Sequence, residues 1–143
     1  MLDYLSVAEL CQNAAERGCA ISELVLADQA EQMELPREEL YRRMEERLSV
    51  MEQAIQAGLE PELKSTSGLT GGDAARLYAY AQSGGMTGGF FNRCLARAVA
   101  VSEYNAAMGK VVAAPTAGSC GILPGTVVAL LEGGRGSRDA AVM

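Results

Sequence analysis

Hydroxyl side chains beside bare glycine amides are the residues of this chain best suited to chemistry, and they come in two short stretches. Ser67, Thr70, Gly71 and Gly72 stand just before one expected helix, and Thr116, Gly118, Ser119, Cys120 and Gly121 before another. Free backbone N–H groups at a helix N-terminus carry partial positive charge, and neighbouring hydroxyls add donors, so together the two stretches could hold a small carboxylate. Each alone is also the ordinary make-up of a capped turn. Much other chemistry is excluded. With no histidine, the chain cannot build a Ser-His-Asp triad, a Cys-His pair or an HExxH zinc site. Gly109-Lys110 is followed by valine and lacks the upstream glycine of a phosphate loop, and Gly134-Arg135-Gly136 does not complete GxGxxG. Cys11, Cys19, Cys94 and Cys120 are too far apart for a CxxC pair.

The elements that must carry these stretches divide the chain in two. Residues 1–64 hold 14 of the 18 acids, whereas 14 of the 16 glycines lie at Gly68 or beyond. The first region, 1–64, therefore reads as acidic solvated helices, and 65–143 as short apolar helices joined by tight turns. Ser6 with Glu9 caps a first helix that carries Val7, Leu10, Cys11 and Ala14 on one face and stops at Gly18. Ser22 is expected to cap a second through Leu24, Val25, Ala27 and Met33, and Pro36 suits the first turn of a third. In the third, Tyr41, Met44, Leu48, Met51 and Ile55 recur at helical spacing, Glu38 and Arg42 are i,i+4 neighbours, and Gly58 ends the run. Residues 65–72 form a loop into a helix over 73–82, with Ala74, Leu77, Tyr78 and Ala81 on one side. Residues 85–90 then echo 68–73 before a helix with Phe91, Leu95, Ala98 and Ser102 on its expected buried stripe. Residues 111–114 suit either a buried strand or an extended lead-in, 115–125 a glycine-rich loop, and 126–131 an apolar helix. Ser137 caps one last turn, too short to be stable alone, which predicts truncation at Met143. The expected fold class is mainly α: an irregular helical domain with glycine-rich loops at helix N-termini.

Composition narrows the setting. The 143 residues suffice for one domain, and a net charge of −6 with no tryptophan and two phenylalanines argues against nucleic acid. The longest apolar runs fall far short of the roughly 20 residues that cross a bilayer. With no leader-like start, the reading is a cytoplasmic protein with reduced thiols. Cys11 and Cys94 lie on apolar stripes and are expected to be buried, Cys19 follows a helix stop, and Cys120 alone lies in a candidate site, as a weak candidate for reactivity or metal ligation.

The second stretch taken whole, NAAMGKVVAAPTAGSCGILPG at 105–125, closely resembles the signature of the iron–sulfur-dependent L-serine dehydratase alpha chain. SGLTGGD at 67–73 resembles its second marker, in the expected order, and the long helix ending at Gly58 is similar to that family as well. The resemblance implies a lyase of amino-acid catabolism. It would convert L-serine to pyruvate and ammonia by β-elimination on a [4Fe–4S] cluster, with iron as the Lewis acid for the departing hydroxyl. It implies substrate binding by Thr70, Gly71, Gly72, Thr116, Gly118 and Ser119, with Ser67 and Asn105 as further positions. It places the cluster's cysteine ligands beyond Met143, so this chain alone would be inactive, and it implies a serine dehydratase beta chain as partner. The family pattern names no base; Lys64 and Lys110 remain by elimination, with a solvated lysine the default for each. Three other readings compete. One is a pyridoxal phosphate enzyme with Lys64 as Schiff base, another a non-catalytic helical module docking through Tyr41 to Ile55, and the third a related dehydratase or desulfidase acting on another small amino acid.

Overall fold

The computed structural model describes residues 4–143. Its helices are α1 (Val7–Arg17), α2 (Ile21–Met33), α3 (Arg37–Gly58), α4 (Asp73–Gln82), α5 (Gly89–Ala106), α6 (Ile122–Glu132) and α7 (Arg138–Val142), with a 3-10 turn at Ala117–Ser119. No strand occurs among the described residues, so 111–114 is an extended lead-in. The fold is mainly α, as the periodicities predict. The chain packs as two compact units, Met1–Glu45 with Val142–Met143, and Glu46–Ala141. The packing border thus falls inside α3, while the change in composition comes near residue 64.

In the first unit, α1 begins as its capping residues dictate: the Glu9 amide donates to Ser6 Oγ (3.2 Å), and Gly18 closes the helix at φ 62°. Helix α2 departs from expectation. Its cap is Ala20 rather than Ser22, which lies in the first turn, and the Glu23 carboxylate takes over the capping role by accepting the Ala20 amide (3.1 Å). Leu24 is buried, as expected, whereas Cys11 is exposed. A residue on the border of a helix's apolar stripe is covered only if the neighbouring helix reaches it. In the first turns of α3, Glu39 is the acid that engages both Arg42 (2.9 Å) and Arg43 (2.8 Å), in place of the Glu38–Arg42 pair expected from spacing.

The second unit is built around α5, which packs on α4 and on α6. Its core comprises Ala54, Ile55, Val101, Cys120 and Val128, with Leu59, Tyr104 and Val111 against it. Of the α3 stripe, Leu48, Met51 and Ile55 are buried, Tyr41 is half-buried and Met44 exposed. The stripe thus serves the chain's own packing, which counts against the docking-module reading. Of the expected α5 stripe, Phe91, Leu95 and Ser102 are exposed, the first two at 57% and 41%, and Ala98 is half-buried, so the fully buried face lies elsewhere. It runs instead through Asn92, Ala96, Arg97, Ala100, Val101 and Glu103. Close backbone approach decides this. A Cβ on Gly58 would lie 1.9 Å from the Ala100 carbonyl oxygen and one on Gly121 2.1 Å from that of Ala98, so small residues face α5 from both sides. Helix α6 also starts earlier than its apolar run suggests. Residues 122–125 are helical, and Pro124 is accommodated in the first turn, where its missing N–H costs nothing. Within the same unit Arg138 reaches Glu52 (2.6 Å), and Ser137 caps α7 through the Ala140 amide (3.1 Å).

Candidate functional site

The first stretch folds as a self-bonded turn. The Ser65 amide donates to the Thr70 carbonyl (2.9 Å), the Gly68 amide to that of Ser65 (2.8 Å), and the Thr70 amide to Ser65 Oγ (3.2 Å). Ser67 Oγ lies 3.2 Å from Ser65 Oγ and accepts the Leu69 amide (3.4 Å). Gly71 sits at φ 145°, and a Cβ there would lie 2.1 Å from the Leu63 carbonyl oxygen, so no other residue fits. The turn is fastened to α5 at Ala106, whose carbonyl accepts both the Thr66 amide (3.0 Å) and Thr66 Oγ1 (3.3 Å).

Helix α4 starts directly after this turn, as the sequence predicts, but its N-terminal amides already have an anion. Gly72 and Ala74 donate to Oε2 of Glu103 (3.2 and 3.4 Å) and Asp73 to Oε1 (2.9 Å). Sequence reasoning missed Glu103, which reads as an ordinary helix charge. The available signal was its rarity, as one of four acids beyond residue 64 and the only one in α5.

The second stretch turns through a cis Ala114–Pro115 bond into the 3-10 turn. Thr116 and Ser119 cap each other: the Ser119 amide donates to Thr116 Oγ1 and the Thr116 amide to Ser119 Oγ, both at 3.3 Å, while Ser119 Oγ also donates to the Ala114 carbonyl (3.1 Å). Gly118 is exposed and has room for a Cβ. Upstream, half-buried Asn105 accepts the Met108 amide on its carbonyl (3.0 Å), and Met108 turns the chain at φ 65°, a left-handed conformation rare outside glycine.

Thr66 and Ala106 therefore bring the first stretch beside Asn105, at the head of the second. Among the described residues no hydrogen bond joins 65–72 to Thr116 or Ser119. Lys64 and Lys110 are both exposed.

The cysteines do not form a metal centre. Cys11 is exposed, Cys19 and Cys94 are half-buried, and Cys120 is completely buried in the apolar core, where desolvation pushes its thiol pKa up and away from reactivity. Among the described residues no group of three or more cysteine, aspartate or glutamate side chains could hold a metal ion. The residues present do not fit an iron–sulfur cluster.

No helix among the described residues is long and apolar enough to cross a membrane. The sequence profile of the serine dehydratase alpha chain family matches residues 16–141. The chain is 43% identical over 130 residues, 90% of its own length, to the probable L-serine dehydratase alpha chain of Bacillus subtilis (strain 168). It is 37% identical over 125 residues, 87% of its length, to the L-serine dehydratase alpha chain of Peptoniphilus asaccharolyticus. It spans 43% of each of these relatives. No solved structure matches it significantly. A family match over nearly the whole chain, taking in both glycine-rich stretches, shows that this protein belongs to the serine dehydratase alpha chain family.

Proposed function

We propose that this chain is the substrate-loop portion of an L-serine dehydratase, which removes water across Cα–Cβ of L-serine and, after hydrolysis of the resulting enamine, releases pyruvate and ammonia. The observation that carries the reading is the pair of hydrogen bonds from Thr66 to the Ala106 carbonyl. They tether the first motif, at the residue just before Ser67, to the head of the second at Ala106. In this reading Ser67, Thr70 and the Gly71 amide, with Thr116, Gly118 and Ser119, bind and orient the serine carboxylate, and Asn105, next to the Thr66 tether at Ala106, assists them. The Gly72 amide, occupied by Glu103, supports the turn rather than touching substrate. Any [4Fe–4S] cluster takes its ligands from residues outside this chain, because the cysteines present do not fit one. A serine dehydratase beta chain is the proposed partner, and the cytoplasm the proposed compartment.

The test is pyruvate release from L-serine by the assembled enzyme. Thr70→Ala and Ser119→Ala are each expected to lower kcat/KM by about tenfold or more, the scale of one lost hydrogen bond to a charged substrate group. Unchanged kinetics in both variants would overturn the loop assignment. Comparison with L-cysteine as substrate separates a serine enzyme from a desulfidase.

A further inference from the structure

Glu103 is only 6% exposed, yet its three hydrogen-bond donors are all main-chain amides, from residues 29 to 31 positions earlier in the chain. Such an arrangement suits a buried charge: the N-terminus of a helix supplies both N–H donors and a favourable dipole. One turn later on the same face of α5, the Ala106 carbonyl holds Thr66. A single turn of α5 thus grips the segment 66–74 at both ends, through Ala106 at Thr66 and through Glu103 at Gly72, Asp73 and Ala74. Between the two grips lie Ser67, Thr70 and Gly71, the groups assigned to substrate.

We infer that Glu103 is a positioning residue for the substrate loop: its carboxylate permanently fills the N-terminus of α4, fixing Thr70 and Gly71 in place and denying that helix end to the substrate's carboxylate. The inference rests on the function proposed above. A substrate carboxylate moving onto α4 would meet a buried like charge that already takes the Gly72, Asp73 and Ala74 amides. Like-charge repulsion steers it to the hydroxyls and to the Gly71 amide, which makes no hydrogen bond among the described residues.

Two readouts test this. Amide exchange by NMR on the full 143-residue chain follows Gly72, Asp73 and Ala74 directly, and steady-state kinetics of the assembled enzyme follow L-serine. Glu103→Gln leaves one acceptor oxygen and turns an NH2 group toward backbone donors. It is expected to speed exchange at those three amides by about tenfold and to raise KM by about tenfold, with kcat within about threefold of the parent. Glu103→Asp, which keeps the charge, is expected to recover part of both effects. Ser102→Ala is expected to change neither; Ser102 is exposed and bonded back to the Ala98 carbonyl. Parent-like exchange in Glu103→Gln, or faster exchange with KM unmoved, would overturn the inference. If Glu103→Gln does not fold, Asp73→Pro removes the shortest of the three bonds at a first-turn position that tolerates proline, and an unmoved KM there would overturn it equally. Absence of L-serine turnover by the parent enzyme would instead overturn the function reading, leaving amide exchange to decide whether Glu103 holds the loop.

Discussion

Cys120 and Arg97 show how far one side chain's role depends on what surrounds it. Cys120 lies within a glycine-rich motif, where a thiol suggests reactivity, yet it is wholly buried among Ala54, Ile55, Val101 and Val128. It acts there as a small hydrophobe. Iodoacetamide at neutral pH is expected to label Cys11 readily and to spare Cys120 until the chain is denatured; equal labelling of the two in the native state would contradict the burial. Arg97 is the opposite case, a full charge at 1% exposure. It is paired with half-exposed Glu132 and lies over the Tyr78 ring at 5.3 Å, while Nε and Nη1 have no partner. Unpaired buried donors oppose folding, so Arg97→Met, apolar and similar in length, is expected to be neutral or stabilising. Glu132→Ala leaves the cation alone and is expected to cost about 1–3 kcal/mol in chemical denaturation.

At the scale of elements, α5 is the organiser, and its neighbours are selected for smallness as much as for hydrophobicity. Gly58 meets the Ala100 carbonyl so closely that Gly58→Ala must push α3 off α5. The expected cost is about 1–3 kcal/mol, despite alanine's better helix propensity, and an unchanged or improved Tm would refute the close approach. In α3, hydrogen bonds from Arg42 and then Arg43 lower the Glu39 pKa from 4.5 to about 2. A depressed carboxylate contributes stability that is fully present above its unfolded value and is lost as pH falls toward the folded one. The helix should therefore weaken between about pH 4.5 and 2, and Glu39→Gln should flatten that part of a circular-dichroism titration. The contribution is small, because these side chains are solvent-screened.

For the whole molecule, the apolar residues left uncovered matter as much as those buried. Phe91 and Leu95 on α5, Ile122 and Leu123 at the start of α6, and Met86 between α4 and α5 are all exposed. Exposed large apolar residues in such number favour association. The isolated chain is expected to self-associate with rising concentration in sedimentation velocity, and Leu95→Lys with Ile122→Lys to suppress it. A strictly monomeric parent chain would refute this.

Helix positions were largely legible in the sequence because caps and stops act locally: Ser6 with Glu9, Gly18, Pro36 and Ser137 each work within one turn of the residue they cap. The two glycine-rich motifs were legible for a related reason, since at Gly71 the backbone excludes every side chain. Burial was not legible where two faces of a helix compete. By composition Phe91 and Leu95 should have faced inward, but the approach of Gly58 and Gly121 to α5 turned Ala96, Ala100, Arg97 and Glu103 toward the core instead. Nor could the sequence by itself show that the anion at the start of α4 belongs to the chain. That pairing spans about thirty residues and depends on how α4 and α5 pack, which local propensity cannot encode. The sequence determined which segments are helices and which residues could meet a carboxylate; the tertiary structure decided that Glu103 is the carboxylate at α4.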